Sequence, residues 1–175
     1  MKNSFLVILT LVGIQQINAQ FTRRDSLQGG LRIERTSYDV KRYDLNITIN
    51  PEQKSIKGFN EISFEVMVPT QKIQLDLFDN MKVDSIVWNT KKLKYNRDND
   101  AVFIDFPEKL ASKSNHKLKF YYSGNPKIAK NAPWDGGFVF KKDSNGKDFI
   151  AVAVQGTGAS LWYPVKDSQS DEPDN

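Results

Sequence analysis

The 175 residues contain no cysteine and a single histidine, His116. The first absence excludes a disulfide framework and a thiolate nucleophile, so the fold has to be held by packing alone. The second is more restrictive. A metallopeptidase zinc site of the H-E-x-x-H type needs two histidines one helical turn apart, a third acidic ligand and a glutamate that activates water. No such set can be assembled from this chain, and His116, at the polar start of an alternating segment, reads as a surface residue rather than a ligand. A Ser-His-Asp arrangement would also depend on His116, and no serine lies in a G-x-S-x-G context. Gly156-Thr157-Gly158 lacks the further glycine and following helix of a phosphate-binding loop. Charge of one sign is in short supply as well. The net charge is +4, from 25 Lys and Arg against 21 Asp and Glu, with no basic block interleaved with aromatics, so no nucleic-acid partner is expected.

Long apolar runs are missing except at the N-terminus. There Lys2 supplies a positive end, Phe5 to Ile14 an apolar core, and Ala19 a small residue suited to cleavage. This layout predicts a signal peptide over 1–19. The run is shorter than the roughly 20 residues of a membrane-spanning helix, and no later segment qualifies. The product is therefore expected to be exported, periplasmic or secreted, with no membrane span after signal cleavage. Residues 20–36 are polar, include Arg23-Arg24-Asp25 and Gly29-Gly30, and read as a flexible leader.

From Tyr38 onward the dominant pattern has a period of two. Tyr43, Leu45, Ile47 and Ile49 alternate with Asp44, Asn46 and Thr48. After the turn cluster Asn50 to Ser55, Ile56, Gly58, Asn60, Ile62, Phe64 and Val66 share a second face, which predicts a hairpin. Ile73 to Leu77, Val83 to Trp88, Ala101 to Phe106, Leu118 to Tyr122, Phe138 to Phe140 and Phe149 to Val154 continue the rhythm. Asn145-Gly146 is suited to a hairpin turn with positive φ. Only Pro107 to Ala111 reads as briefly helical. Many short strands with no alternating helices predict an all-β fold, an antiparallel β-sandwich or saddle-shaped sheet.

The most informative stretch is near the end of the chain. The run Phe149 to Val154 leads into Gln155-Gly156-Thr157-Gly158-Ala159-Ser160-Leu161-Trp162-Tyr163-Pro164, and Asp171-Glu172-Pro173 follows. Glycines at 156 and 158 permit backbone conformations, or the close approach of another group, that a side chain would block. Read by spacing alone, this is a tight turn between strands. The residues nevertheless resemble the segment near the substrate entrance of the aminopeptidase N family of zinc metallopeptidases, with its Gln after a strand, aromatic-Pro pair and Asp-Glu-Pro. Ser37 to Ile47 resembles that family's opening strand, and Ile56-Lys57-Gly58 with Ile62 and Phe64 its second.

The resemblance implies that residues 37–175 are an N-terminal β domain that lends a loop to the rim of an active site. The zinc and the chemistry would belong to a following catalytic domain that removes N-terminal residues from peptides. It implies a substrate-binding role for Gln155, Gly156, Thr157 and Gly158, no catalytic or metal residue in this chain, and a peptide substrate reached through the catalytic domain. Gln155 matches the family's glutamine, whose amide oxygen can accept a hydrogen bond from a substrate ammonium. Thr157 stands where the family commonly has an acidic residue. Family members continue with further strands after Asp-Glu-Pro, so the domain is expected to be incomplete at the C-terminus, with exposed sheet edges and poor solubility.

Two other features invite chemistry. Asp171 and Glu172 are adjacent carboxylates, but Asp-Glu-Pro is also good turn chemistry. Trp134, Trp162 and Tyr163 could present aromatic faces to a sugar or serve as packing. The alternative to the peptidase reading is therefore a stand-alone exported β-sandwich binding a protein or glycan partner.

Overall fold

A computed structural model of the chain describes residues 21–168 and 170–174. The signal-peptide expectation for 1–19 lies outside the described residues. Among the described residues two short helices, α1 (Arg23–Gly29) and α2 (Ile33–Thr36), precede ten strands: β1 (Tyr38–Asn50), β2 (Ser55–Val66), β3 (Thr70–Asp76), β4 (Met81–Trp88), β5 (Lys91–Lys92), β6 (Lys94–Asp98), β7 (Ala101–Leu110), β8 (Asn115–Gly124), β9 (Gly137–Lys142) and β10 (Asp148–Ala153). They form a five-stranded sheet in the order β1-β2-β8-β4-β5, a three-stranded sheet β3-β7-β6, and the β9-β10 hairpin. All ladders are antiparallel and none closes a barrel. The all-β, sandwich-like expectation holds.

The alternation read in the sequence explains the packing. In β2, Ile56, Asn60, Ile62, Phe64 and Val66 are buried; from β8, Leu118, Phe120 and Tyr122 join them. Facing them, Ile73 and Leu75 of β3 and Val102, Ile104 and Phe106 of β7 complete one apolar cluster. Phe106 meets Phe64 and Trp88 across the sheets at 6.2 and 5.4 Å between ring centroids. The tyrosine at the start of β1 closes the seam, its hydroxyl donating to the Gln74 carbonyl at 2.5 Å.

Two expectations need correction. Pro107 to Leu110 is not helical: it continues β7, with Leu110 paired to Thr70 and buried. The ladder with β6 reaches only Asp105, so beyond that point β7 is an edge on one side, where a proline costs no ladder hydrogen bond. Residues 21–36 are not a loose leader either. Thr22 and Asp25 form a reciprocal capping box that starts α1, and Leu27 is buried on the outer face of the three-stranded sheet. Gln74 donates to the Leu27 carbonyl at 3.0 Å. This helical strap explains why β3 buries both faces from Ile73 to Asp76.

Candidate functional site

At the end of β10 the Val154 carbonyl accepts hydrogen bonds from the Thr157 and Gly158 amides, both at 3.1 Å, and from the Thr157 hydroxyl at 3.2 Å. A tight turn results, with Gly156 at φ +68° and Gly158 at φ +76°, a region where a side chain is strained. The two glycines are needed for different reasons. A Cβ on Gly156 would meet nothing within 4 Å, whereas one on Gly158 would lie 2.1 Å from Asp167 Oδ2. The group that approaches Gly158 closely is thus a carboxylate of this chain. Ser160 donates to the same oxygen at 2.6 Å.

The structure leaves Gln155 exposed at the apex of the turn. Gly156, Thr157 and Gly158 line an open groove of about 670 Å³ together with Gln28, Gly29 and Leu31 of the strap and with Asp167. The loop before β9 supports the turn from behind, so closely that a Cβ on Gly136 would fall 1.9 Å from the Thr157 hydroxyl.

The chain after the turn is stitched into the domain. The Phe78 amide donates to the Ser160 carbonyl, and Asp76 and Val165 exchange backbone hydrogen bonds of 2.8 and 3.0 Å. Asn60 reaches the Pro164 carbonyl at 2.8 Å. Trp162 and Tyr163 are packing residues: Trp162 sets its edge against Phe138 at 5.8 Å, and Tyr163 meets Tyr43 at 6.1 Å. Trp134 alone of the three candidate sugar-facing aromatics stands free, 77% exposed. Asp171 and Glu172 do not converge. Asp171 is buried in an ion pair with Lys166, whose ammonium also donates to the Tyr38 carbonyl at 2.6 Å, and Glu172 is exposed. The Asp-Glu-Pro corner is therefore structural.

His116 is not the surface residue that its polar neighbours suggest. Its ring is half-buried between Phe64 and Trp88, at 5.6 and 5.7 Å between centroids, with Nε2 2.7 Å from the Ser114 hydroxyl. Burial pushes its pKa down. Among the described residues no three His, Cys, Asp or Glu side chains gather closely enough to hold a metal ion, so they do not fit a zinc centre.

Sequence reasoning missed the residues that hold the strap on the sheet. Arg35, 3% exposed, pairs with the fully buried Asp76 at 2.5 Å, and also donates to the Asp167 carbonyl. Desolvation pushes the Asp76 carboxyl up to about 6, while Arg35 and the Gln74 amide pull in the other direction. Arg23 pairs with Asp98, and Arg24 with the buried Asp100. Thr-x-x-Asp at 22–25 is a readable start signal for α1; the arginine-to-sheet pairings have no local signature.

This sandwich with its stitched terminal segment can be set against known families. The family model described as Peptidase M1 N-terminal domain matches residues 39–174. The chain belongs to that family. No curated protein matches it at comparable significance. Among solved structures, this M1 N-terminal domain is similar to an M1 zinc metallopeptidase from Deinococcus radiodurans bound to a Tyr-Ser-Ala substrate, at 20% identity and TM-score 0.60 over 77% of this chain and 30% of that one. It is also similar to leukotriene A4 hydrolase from Saccharomyces cerevisiae, at 15% identity and TM-score 0.62 over 79% of this chain and 22% of that one. These likenesses are of fold. The chain spans less than a third of either protein's length. The strap at 23–36 lies ahead of the residues that the family model matches.

Proposed function

We propose that this chain is the N-terminal substrate-rim domain of an exported zinc-dependent aminopeptidase, in which a separate catalytic domain supplies the metal and the hydrolytic groups. The observation behind this reading is the turn at 155–158: a side-chain amide at its apex, and a glycine-shaped backbone along a groove open to solvent. In this role Gln155 orients the peptide through its amide, and the turn backbone lets the peptide approach closely. Neither group transfers a proton or attacks a bond. The signal-like segment at 1–19 supports export.

The test is Gln155→Ala in the full-length enzyme, assayed with amino-acid arylamides with and without a zinc chelator. Chelator-sensitive release whose kcat/KM falls by about tenfold in the variant, the worth of one hydrogen bond to a charged group, is the expected result. Unchanged kcat and KM would remove Gln155 from the rim. The alternative, a stand-alone module for a protein or glycan partner, draws support from Trp134 alone. Arylamidase activity in the full-length protein would exclude it.

A further inference from the structure

The groove beside the glycine turn has an uneven chemistry. Its lining includes the half-buried Asp167, whose carboxylate makes no ion pair with a described cation. Lys166, its neighbour in sequence, is paired with Asp171, and Arg35, which donates to the Asp167 backbone carbonyl, is paired with Asp76. Leu31, 78% exposed, lines the same groove, as do Gly156 to Gly158. The strap and the turn are both braced. Arg35 and the buried Leu27 fix the strap, and Gly158 sits against Asp167, which itself accepts from Ser160.

We infer that Asp167 and Leu31 form a subsite for the side chain of a lysine or arginine of the peptide substrate, a subsite that depends on the strap preceding the family domain. A groove-lining carboxylate that makes no ion pair with a described cation favours a cation that can donate hydrogen bonds to it. An apolar side chain lining the same groove favours a cation on an aliphatic stem, since such side chains bury their methylenes and keep the charged head on a polar partner. A terminal ammonium, which has no stem, would use the carboxylate and leave Leu31 idle. This inference rests on the substrate-rim reading for its biological meaning, but the binding event itself does not require catalysis.

The test follows the backbone amides of Gly156, Thr157 and Gly158 by NMR on the full chain. Three probes are titrated: N-acetyl-L-argininamide, which has the basic side chain and no free amine; N-acetyl-L-norleucinamide, which has a stem without charge; and L-norleucinamide, which has a free amine without a basic side chain. The arginine probe is expected to shift these amides saturably, and the two norleucine probes to bind about tenfold more weakly, the worth of a charge-assisted hydrogen bond. Asp167→Asn should abolish the difference between probes. Leu31→Ala, at an exposed position that cannot unfold the domain, should weaken the arginine probe about threefold. Equal binding of all probes, preference for the free amine, or an unaltered arginine affinity in Leu31→Ala would each overturn the subsite, whether or not Asp167→Asn folds. Saturable arginine binding alongside unchanged Gln155→Ala kinetics would keep the subsite and remove only the rim reading.

Discussion

Replacing Arg35 by methionine tests the contact on which the strap depends. The guanidinium and the Asp76 carboxylate are 3% and 0% exposed, so the substitution leaves a carboxylate in the interior without its cation. Removing one partner of a buried pair costs about 3–5 kcal/mol. With a urea dependence of about 1–3 kcal/mol per molar for a small domain, the unfolding midpoint should drop by roughly 2 M. The pH dependence identifies the cause. In the native protein burial holds the Asp76 carboxyl up at about 6, above its ordinary 3.8. Between those values the folded state binds more protons than the unfolded one, so Asp76 contributes a stability that is complete at low pH and declines as pH rises through 6. Without Arg35 the carboxyl moves higher still, and the decline extends further toward neutrality.

The penalty of Arg35→Met should therefore be small at pH 5 and several kcal/mol at pH 8, measured by urea unfolding at both. Adding Asp76→Asn to the variant should restore more than half of the loss at pH 8. A penalty equal at the two pH values, or below about 1 kcal/mol at pH 8, would refute the electrostatic reasoning and reduce Arg35 to a packing residue.

The two glycines of the turn should separate cleanly. Gly158→Ala combines φ strain with a collision against Asp167 and should cost about 2–3 kcal/mol, whereas Gly156→Ala carries strain alone and should cost about 1 kcal/mol; equal losses in chemical unfolding would contradict the close approach. Leu27→Ala removes the strap's buried anchor and should cost about 2–4 kcal/mol. Limited proteolysis after Arg32 should then accelerate, and unchanged cleavage would mean that the strap does not need Leu27. His116 should titrate below its ordinary 6.5 in an NMR pH series because burial disfavours its charged form, so its contribution to stability grows as pH rises toward 6.5. A midpoint at or above 6.5 would argue against the aromatic enclosure.

The parts of the fold that were legible are those fixed by neighbours in sequence. Ile62, Phe64 and Val66 face inward because a strand alternates, and Asn145-Gly146 turns the β9-β10 hairpin because Gly146, at φ +77°, accepts a conformation most residues avoid. Residues 21–36 misled because the usual sign of a packed helix is an apolar stripe, and here Leu27 is the buried apolar anchor while arginines make the remaining contacts. Arg35 has its counter-charge on β3, forty-one residues away. No window of local pattern spans that distance.

The candidate site shows the same division in a sharper form. Gln155 to Gly158 could be picked out from composition and resemblance, and Gly156 does what its type suggests. Gly158, however, is a glycine on account of Asp167, a residue unremarkable in sequence that the Asp76–Val165 backbone pairing and the Ser160 hydroxyl bring beneath the turn. The Thr157 position thus lines a groove that has a carboxylate of its own. A substitution at 157 alone, such as Thr157→Glu, would then place a second negative charge beside Asp167 and tighten the arginine probe rather than create a new site. The same variant combined with Asp167→Asn should bring the affinity back toward that of the parent, the result expected of two carboxylates serving one groove from different elements.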